Sequence, residues 1–191
     1  MRCDVRSEDD VRRALEACGG RLDALVAAAG VLGPGAGVER IPDAGWATVF
    51  DVNVTGMMRC VRAAAPLLRA SARGRVVGIA STGALVGAPL LSPYTASKAA
   101  VLGFVRSVAA ELARDGVTVN AVCPGSVPGP MLDACVDVYG LDSAAEFGQH
   151  HLTGRLLEAE QVAALVAFLC SEAASGITGA VLPADAGLTA R

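Results

Sequence analysis

Largely apolar runs alternate with longer helical segments along this chain, and that alternation restricts its fold more than any other feature. Five runs are predicted strands, the first of them only a stub: Arg2–Val5, Leu22–Ala29, Arg75–Ala80, Val117–Val122 and Ala180–Ala184. Strands that alternate with helices favour a parallel sheet with right-handed crossovers and helices on both faces. The sequence therefore predicts an α/β, doubly wound parallel sheet in a single domain of residues 1–191, which would bind ligands at the carboxyl ends of its strands.

Helices are predicted between the strands, where apolar residues recur every three or four positions. Four are expected, from Ser7 to Gly19, from Asp43 to Ala70, from Tyr94 to Arg114 and from Glu160 to Ser171. Proline lacks the amide hydrogen that a helix uses, so the second helix is expected to bend near Pro66. The stretch from Met131 to Leu157 has no regular pattern and is predicted to be irregular.

Composition excludes several classes of function. A formal net charge of −3 gives no electrostatic reason to expect nucleic acid or an anionic membrane as a partner. The longest apolar runs, such as Val162–Cys170, are too short to span a bilayer. The charged amino end, MRCDVRSEDD, lacks the apolar core of a secretory signal, so a cytoplasmic location is expected. Six scattered cysteines without a CxxC pair indicate small buried residues in a reducing compartment rather than disulfides or a metal site.

Chemistry is concentrated in the segment STGALVGAPLLSPYTASK. Ser81 follows a predicted strand, and Tyr94 and Lys98 lie four residues apart at the start of a helix. Residues at that spacing share one helix face, so the ammonium can lie beside the phenol and lower its pKa from about 10. The three side chains could exchange a proton with a carbonyl or alcohol. Alternatively, Tyr94 begins an ordinary surface helix and Ser81 is a turn residue, since YxxxK is common by chance.

A serine at a strand end followed by YxxxK at a helix start resembles the signature of the short-chain dehydrogenase/reductase family. The resemblance covers nearly the whole chain and implies a Rossmann-like fold and hydride transfer between NAD or NADP and an alcohol or carbonyl. It implies that Ser81 orients the substrate carbonyl and Tyr94 passes the proton. Lys98 would lower the pKa of Tyr94 and bind the nicotinamide ribose. Asn53, in DVNVTG, would hold a proton-relaying water, although an asparagine within a helix more often marks a cap or bend.

The resemblance also implies a set of cofactor contacts. Besides Tyr94 and Lys98, the expected cofactor-binding residues are Asp4, Val5, Ala29, Gly30, Pro124, Gly125 and Val127. Asp4 and Val5 would lie beside the adenine, and Pro124, Gly125 and Val127 would lie beside the nicotinamide. Family members usually have a threonine where this chain has Gly129, so one hydroxyl that would touch the cofactor is absent.

A narrower resemblance concerns the segments VAAAG, PGS, YGLD, GRLLE and VAALVAFLC. Together they look like the branch associated with the redox carrier mycofactocin, which holds NAD tightly and acts on alcohols. NAD is favoured on this ground, although the residue that usually selects between NAD and NADP follows a strand that this sequence lacks. The substrate and the direction of the reaction are not determined.

One expected element is missing from the sequence. The resemblance covers about the last three quarters of a typical member, and no glycine-rich TGxxxGxG turn, which binds pyrophosphate at a helix amino end, occurs. The chain is therefore interpreted as an incomplete, N-terminally truncated domain with strands 4-5-6-7 and a stub of strand 3. Leu22–Ala29 would become an exposed apolar edge. The competing hypothesis is a catalytically silent remnant that only associates with intact homologues.

Two further expectations concern partners and histidines. Members commonly form dimers or tetramers, so a homo-oligomer with a small-molecule substrate is expected. His150 and His151 are possible additional acid–base groups, but adjacent histidines in a loop are more often merely solvated.

Overall fold

The computed structural model describes residues 1–190 and contains one four-stranded parallel sheet in the order β1-β2-β3-β4. The strands are β1 (Ala24–Ala27), β2 (Arg75–Ile79), β3 (Thr118–Pro124) and β4 (Val181–Ala184). The helices are α1 (Glu8–Glu16), α2 (Asp43–Phe50), α3 (Met57–Ala70), α4 (Ser92–Leu112), α5 (Pro130–Tyr139) and α6 (Ala159–Leu169). This is the α/β, Rossmann-like architecture that the sequence predicts.

Helices cover both faces of the sheet because alternate strand residues point in opposite directions. On one face, Val76 of β2 and Val119 of β3 pack into a core with α3 and α4. On the other face, Val77 and Val122 pack against α6, where Leu169 is fully buried. Strands buried on both faces explain why these runs are apolar at consecutive positions rather than alternately.

The sheet ends at β1, which pairs only with β2 among the described residues. Val26 of this strand is 44% exposed, so the expected apolar edge is present. The predicted strand stub at Arg2–Val5 does not form, since no strand lies beside it to share hydrogen bonds. Instead the amide of Ser7 donates to the carbonyl oxygen of Asp4 at 3.0 Å, and this turn leads into α1.

The predicted helix from Asp43 to Ala70 is distorted at a different place from the one expected. It continues through Pro66 as α3, and the irregularity is a wider, π-helical turn at Asp51–Gly56 between α2 and α3. Such a turn accommodates an additional residue and is frequent at functional sites. It contains the DVNVTG motif and therefore sets the direction of the Asn53 side chain.

The stretch from Met131 to Leu157 is more regular than expected. It includes α5 and a 3₁₀ segment, Ala144–His150. Pro130 is the first residue of α5, where a missing amide hydrogen costs nothing, and Gly129 before it has a φ of 151°, which side-chain-bearing residues rarely adopt. Gly129, where the resemblance leads us to expect a threonine, is thus favoured by this backbone.

The six cysteines are all free thiols, as expected, but only Cys123 is fully buried. Cys3 and Cys18 are exposed, so the expectation of uniformly buried cysteines is wrong for these two. Within residues 1–190, none of the helices combines the length and the apolarity that crossing a membrane requires.

Candidate active site

A cavity of about 790 Å³ opens at the carboxyl ends of β2 and β3. Ser81, Tyr94 and Lys98 line it together, although they come from a strand end and a helix that begins eleven residues later. The loop after β3 lines the same cavity with Pro124, Gly125 and other residues. Parallel strands bring these segments together because their carboxyl ends share one edge of the sheet.

Tyr94 lies in the first turn of α4, with its side chain directed toward Ser81. Burial raises the pKa of Tyr94 above its ordinary value, and interaction with the Ser81 hydroxyl opposes this only in part. Ser81 is held by its own loop, since its Oγ accepts a hydrogen bond from the amide of Gly83 at 3.1 Å. The phenol therefore keeps its proton at neutral pH and is placed to donate it.

Lys98 lies beside Tyr94 but does not bond to it. Its Nζ is 5.7 Å from the centroid of the Tyr94 ring and donates to the carbonyl oxygen of Ile79 at 2.8 Å. Burial lowers the pKa of Lys98 to about 8. We expected Lys98 to lower the pKa of Tyr94; in the structure that pKa is raised instead, because desolvation dominates and the ammonium is directed toward β2.

Asn53 is buried behind this group, and its amide joins three segments. Its Oδ1 accepts from the amide of Val31 at 2.8 Å, and its Nδ2 donates to the carbonyl oxygen of Val31 at 3.0 Å and to Oγ of Ser97 at 3.0 Å. Ser97 Oγ in turn donates to the carbonyl oxygen of Tyr94 at 2.7 Å. Asn53 thus fixes the loop after β1 against the first turns of α4. The sequence did not indicate a role for Ser97, because only its burial in the folded protein distinguishes it from other serines in helices.

The predicted cofactor-binding residues fall into two groups. Gly30, Pro124, Gly125 and Val127 line the cavity, whereas Ala29 does not. A Cβ at Gly30 would lie 3.4 Å from both Asn53 Oδ1 and Lys98 Nζ, so the glycine keeps the space between them open. Gly125 has a different reason to be a glycine, because a Cβ there would lie 2.8 Å from His151 Nε2 and 3.1 Å from the Cα of Asp185.

Asp4 and Val5 lie outside this cavity. The Asp4 carboxylate accepts hydrogen bonds from the Arg6 guanidinium, which lower its pKa to about 2. The side chain of Val5 packs close to Gly56, where a Cβ would lie 2.5 Å from Val5 Cγ2. The structure therefore does not bring these two residues together with Tyr94, and their contact with a cofactor stays a prediction.

His151 is a site residue whose environment the sequence did not reveal. It is only 2% exposed, so the interpretation of a solvated histidine is wrong for this residue. Its Nε2 accepts from the amide of Ser126 at 3.1 Å, and its Nδ1 donates to the carbonyl oxygen of Arg155 at 2.6 Å. The ring thus connects the loop after β3 to the segment that precedes α6.

Comparison with known proteins identifies relatives over the whole chain. The family described as Enoyl-(Acyl carrier protein) reductase matches residues 1–189. The cis-4-hydroxycyclohexanecarboxylate dehydrogenase of Sinomonas cyclohexanicum is 37% identical over 195 residues, which cover 100% of this chain and 76% of that protein. The A-factor type gamma-butyrolactone 1'-reductase (1S-forming) of Streptomyces virginiae is 36% identical over 192 residues, covering 97% of this chain and 74% of that protein.

Solved structures agree with these relatives. Levodione reductase superimposes with a TM-score of 0.93 at 32% identity, over 98% of this chain and 76% of its own. ElxO with NADP bound has a TM-score of 0.91 at 27% identity, covering 100% of this chain and 78% of its own. NAD⁺-bound xylitol dehydrogenase has a TM-score of 0.89 at 29% identity, covering 95% and 76% respectively. Both nicotinamide cofactors therefore occur among structures similar to this chain.

Proposed function

The chain belongs to the short-chain dehydrogenase/reductase family, a family of nicotinamide-dependent oxidoreductases, and we propose that it interconverts an alcohol and a carbonyl compound with Tyr94 as the acid–base residue. One observation carries the proposal: Ser81, Tyr94 and Lys98 line the same cavity at the carboxyl end of β2. A secondary alcohol on a ring, as in the name of the Sinomonas relative, is the first candidate substrate class.

A bound nicotinamide would supply the hydride chemistry, taking a hydride from the alcohol carbon in the oxidation and returning it to the carbonyl carbon in the reduction. In the oxidation the alcohol hydroxyl would lose its proton to the Tyr94 oxygen, and in the reduction the Tyr94 hydroxyl would donate that proton to the carbonyl oxygen. Ser81 donates a hydrogen bond to the substrate oxygen and so orients it toward Tyr94. Lys98 holds a positive charge near the reacting oxygens, although its pKa of about 8 makes that charge pH-dependent.

The residues present fit the nicotinamide end of the cofactor. The open space at Gly30, between Asn53 Oδ1 and Lys98 Nζ, offers a carbonyl acceptor and an ammonium donor for a ribose, without a side chain in the way. Gly125 and Val127 line the other side of the same cavity. NAD is our favoured cofactor on the narrower resemblance to the mycofactocin-associated branch, which stays a prediction, as does a homo-oligomeric, cytoplasmic protein.

A second candidate is a catalytically silent protein that associates with complete homologues. It is favoured by the edge of β1, which pairs with β2 alone among the described residues and has Val26 exposed. Both candidates share the fold, and they differ in whether the chain binds a nicotinamide cofactor.

Calorimetric titration of NAD and of NADP into the purified chain separates the two candidates. Binding at micromolar concentrations, followed by turnover of a ring alcohol that Tyr94→Phe abolishes, supports the enzyme. Phe keeps the ring and removes only the hydroxyl, so cofactor binding should persist in the variant. A folded sample that binds neither cofactor contradicts the enzyme and supports the silent protein.

A further inference from the structure

The part of the cavity beyond Tyr94 is almost entirely apolar. Three segments form it: the loop before α4, one face of α5 and the 3₁₀ segment that follows α5. Their side chains in the cavity are Ala88, Leu91, Met131, Leu132, Cys135, Tyr139 and Phe147. We call these seven residues the apolar wall. Tyr94 lines the same cavity as these seven residues, so the apolar wall shares a cavity with the proposed proton donor.

Specific contacts hold the residues of the apolar wall in place. The hydroxyl of Tyr139 donates to the carbonyl oxygen of Pro89 at 2.8 Å, which fastens α5 to the loop before α4 and uses the only hydroxyl in the wall. The Tyr139 and Phe147 rings meet edge to face, with centroids 6.0 Å apart. Leu90, in the same loop, has a φ of 64° and accepts a hydrogen bond from the amide of Ala36, so the loop is held in a strained conformation.

Charge is absent from this part of the cavity. Among the residues that the structure describes, Lys98 is the only charged one in the cavity lining, and its ammonium lies beside Tyr94 and Ile79 rather than on the apolar wall. A carboxylate or phosphate on the substrate would lose its hydration here without gaining a cation, which is strongly unfavourable. In the loop before α4, the apolar side chains of Leu85, Val86 and Leu90 are each more than a third exposed.

From these observations we propose that the substrate is an uncharged apolar alcohol or ketone, whose hydrocarbon part packs on the apolar wall while its oxygen reaches Ser81 and Tyr94. This inference rests on the proposed function for the reacting group, and it adds the substrate class. An acidic substrate, whether a carboxylate or a phosphate ester, is disfavoured by the same wall.

Ligand-observed NMR with a matched pair of probes tests the substrate class without needing turnover. The probes are 4-oxocyclohexanecarboxylate and its methyl ester, which share the ring and the ketone and differ in charge. We expect the ester to bind at least about ten times more tightly, because the acid would be desolvated without a counter-charge. Met131→Arg at the rim should reduce that preference, whereas Val38→Arg, an equal change of charge at a residue 79% exposed and outside the cavity lining, should not.

The outcomes separate the two proposals. Equal or tighter binding of the carboxylate, or no binding of either probe, overturns the substrate class. Binding of the ester without any reduction of its ketone by NADH or NADPH supports the apolar site and contradicts hydride transfer. Turnover of the acid in preference to the ester contradicts the apolar site and supports hydride transfer.

A different observation carries a second inference, about the loop after β3. Ser126 is bonded on both sides, since its amide donates to His151 Nε2 at 3.1 Å and its carbonyl oxygen accepts from the amide of Leu157 at 3.0 Å. The amide of Gly125 donates to the carbonyl oxygen of Ala184 at 3.0 Å. The His151 ring lies directly against Gly125, so a buried imidazole supports the loop from behind.

We infer that His151 is a positioning residue for this loop, and thus, given the proposed function, for the nicotinamide that the loop would contact. It acts through Ser126 and Gly125 and does not itself line the cavity. The required property is an acceptor at the Nε2 position, because the Ser126 amide has that nitrogen as its partner.

Hydrogen exchange measured by mass spectrometry on residues 124–129 tests the role independently of activity. His151→Leu should accelerate exchange there about tenfold or more, while His151→Gln, whose amide oxygen can accept from Ser126, should restore most of the protection. His150→Leu, at the adjacent exposed histidine, is the matched control and should change nothing in this segment. Unchanged exchange in His151→Leu, or a Gln variant as fast as the Leu variant, overturns the inference.

Discussion

The Nζ of Lys98 donates to the carbonyl oxygen of Ile79 at 2.8 Å, which holds the ammonium at the end of β2 instead of on the Tyr94 hydroxyl. The two residues are neighbours on one helix face, as their spacing predicts, but the buried carbonyl is the closer acceptor. The charge near Tyr94 therefore depends on burial and on pH, and this dependence can be measured.

Lys98 should make stability depend on pH in a defined window. Burial lowers its pKa from 10.5 to about 8, so between these values the unfolded chain retains a proton that the folded protein has released. Stability then rises with pH across that window, by about 2 kcal/mol between pH 7.5 and 9.5. Chemical denaturation of the wild type and of Lys98→Met at both pH values measures the free energy of unfolding. The difference in this free energy between the two proteins should change by about 2 kcal/mol from pH 7.5 to 9.5. A constant difference would contradict a buried, partly neutralised ammonium.

Tyr94 should give the two reaction directions opposite pH profiles. Because burial raises the pKa of Tyr94, its phenol form predominates at neutral pH. The contribution of Tyr94 to the free energy of unfolding is retained at neutral pH and is lost only as pH rises above 10. Alcohol oxidation, which needs the phenolate, should accelerate as pH rises above 7, while ketone reduction should stay level and then decline. Steady-state rates from pH 6 to 10 test this, with Tyr94→Phe reducing kcat about 10²- to 10⁴-fold in both directions. A pH-independent oxidation would exclude Tyr94 as the proton acceptor.

Ser97 should contribute more to the stability of the folded protein than an exposed serine of the same helix does. Its buried hydroxyl accepts from Asn53 and donates to the carbonyl oxygen of Tyr94, so Ser97→Ala leaves two buried groups with one partner fewer. We expect a loss of about 1–3 kcal/mol in the free energy of unfolding. Ser107→Ala, at an exposed serine of the same helix, is the control and should change stability by less than about 0.5 kcal/mol. Equal effects of the two substitutions in urea denaturation would show that the Asn53 network is not stabilising.

Gly125→Ala should disturb the loop after β3. The added Cβ would lie 2.8 Å from His151 Nε2 and 3.1 Å from the backbone of Asp185, so the loop must shift. We expect a loss of about 1–3 kcal/mol in stability and weaker cofactor binding by calorimetry. Gly103→Ala, in α4 with open space around it, should instead stabilise by about 0.5–1 kcal/mol. A Gly125→Ala protein as stable as the wild type would mean that the loop adapts without cost.

The edge strand β1 should promote self-association. Among the described residues it pairs with β2 alone, and its Val26, which lines the cavity, is 44% exposed. A lysine at such an edge blocks pairing between sheets, so Val26→Lys should lower the average mass in concentrated samples. Light scattering over a range of concentrations provides the measurement, with Val38→Lys, also exposed but outside the sheet, as the control. Association that is insensitive to Val26→Lys must use another surface.

Much of the fold follows from patterns that local residues produce. Four of the five runs predicted as strands form strands, whose ends differ from the predicted ones by two residues or fewer. The spacing of Ser81, Tyr94 and Lys98 is equally local, since a strand end and one helical turn bring them together. The sequence failed at α5, since the stretch from Met131 to Leu157 lacks a regular pattern and is predicted to be irregular, whereas a helix begins at Pro130.

The sequence by itself determined the alternating α/β architecture through the periodicity of its apolar residues, and the motif of Ser81, Tyr94 and Lys98 indicated the family by resemblance. The tertiary structure decided which partner each buried group has. Lys98 bonds to Ile79, Asn53 to Val31 and Ser97, and His151 to Ser126, all across different elements. Desolvation and the nearest available hydrogen-bonding partner govern those choices, and both depend on atoms that are brought close only when the sheet and its helices pack together.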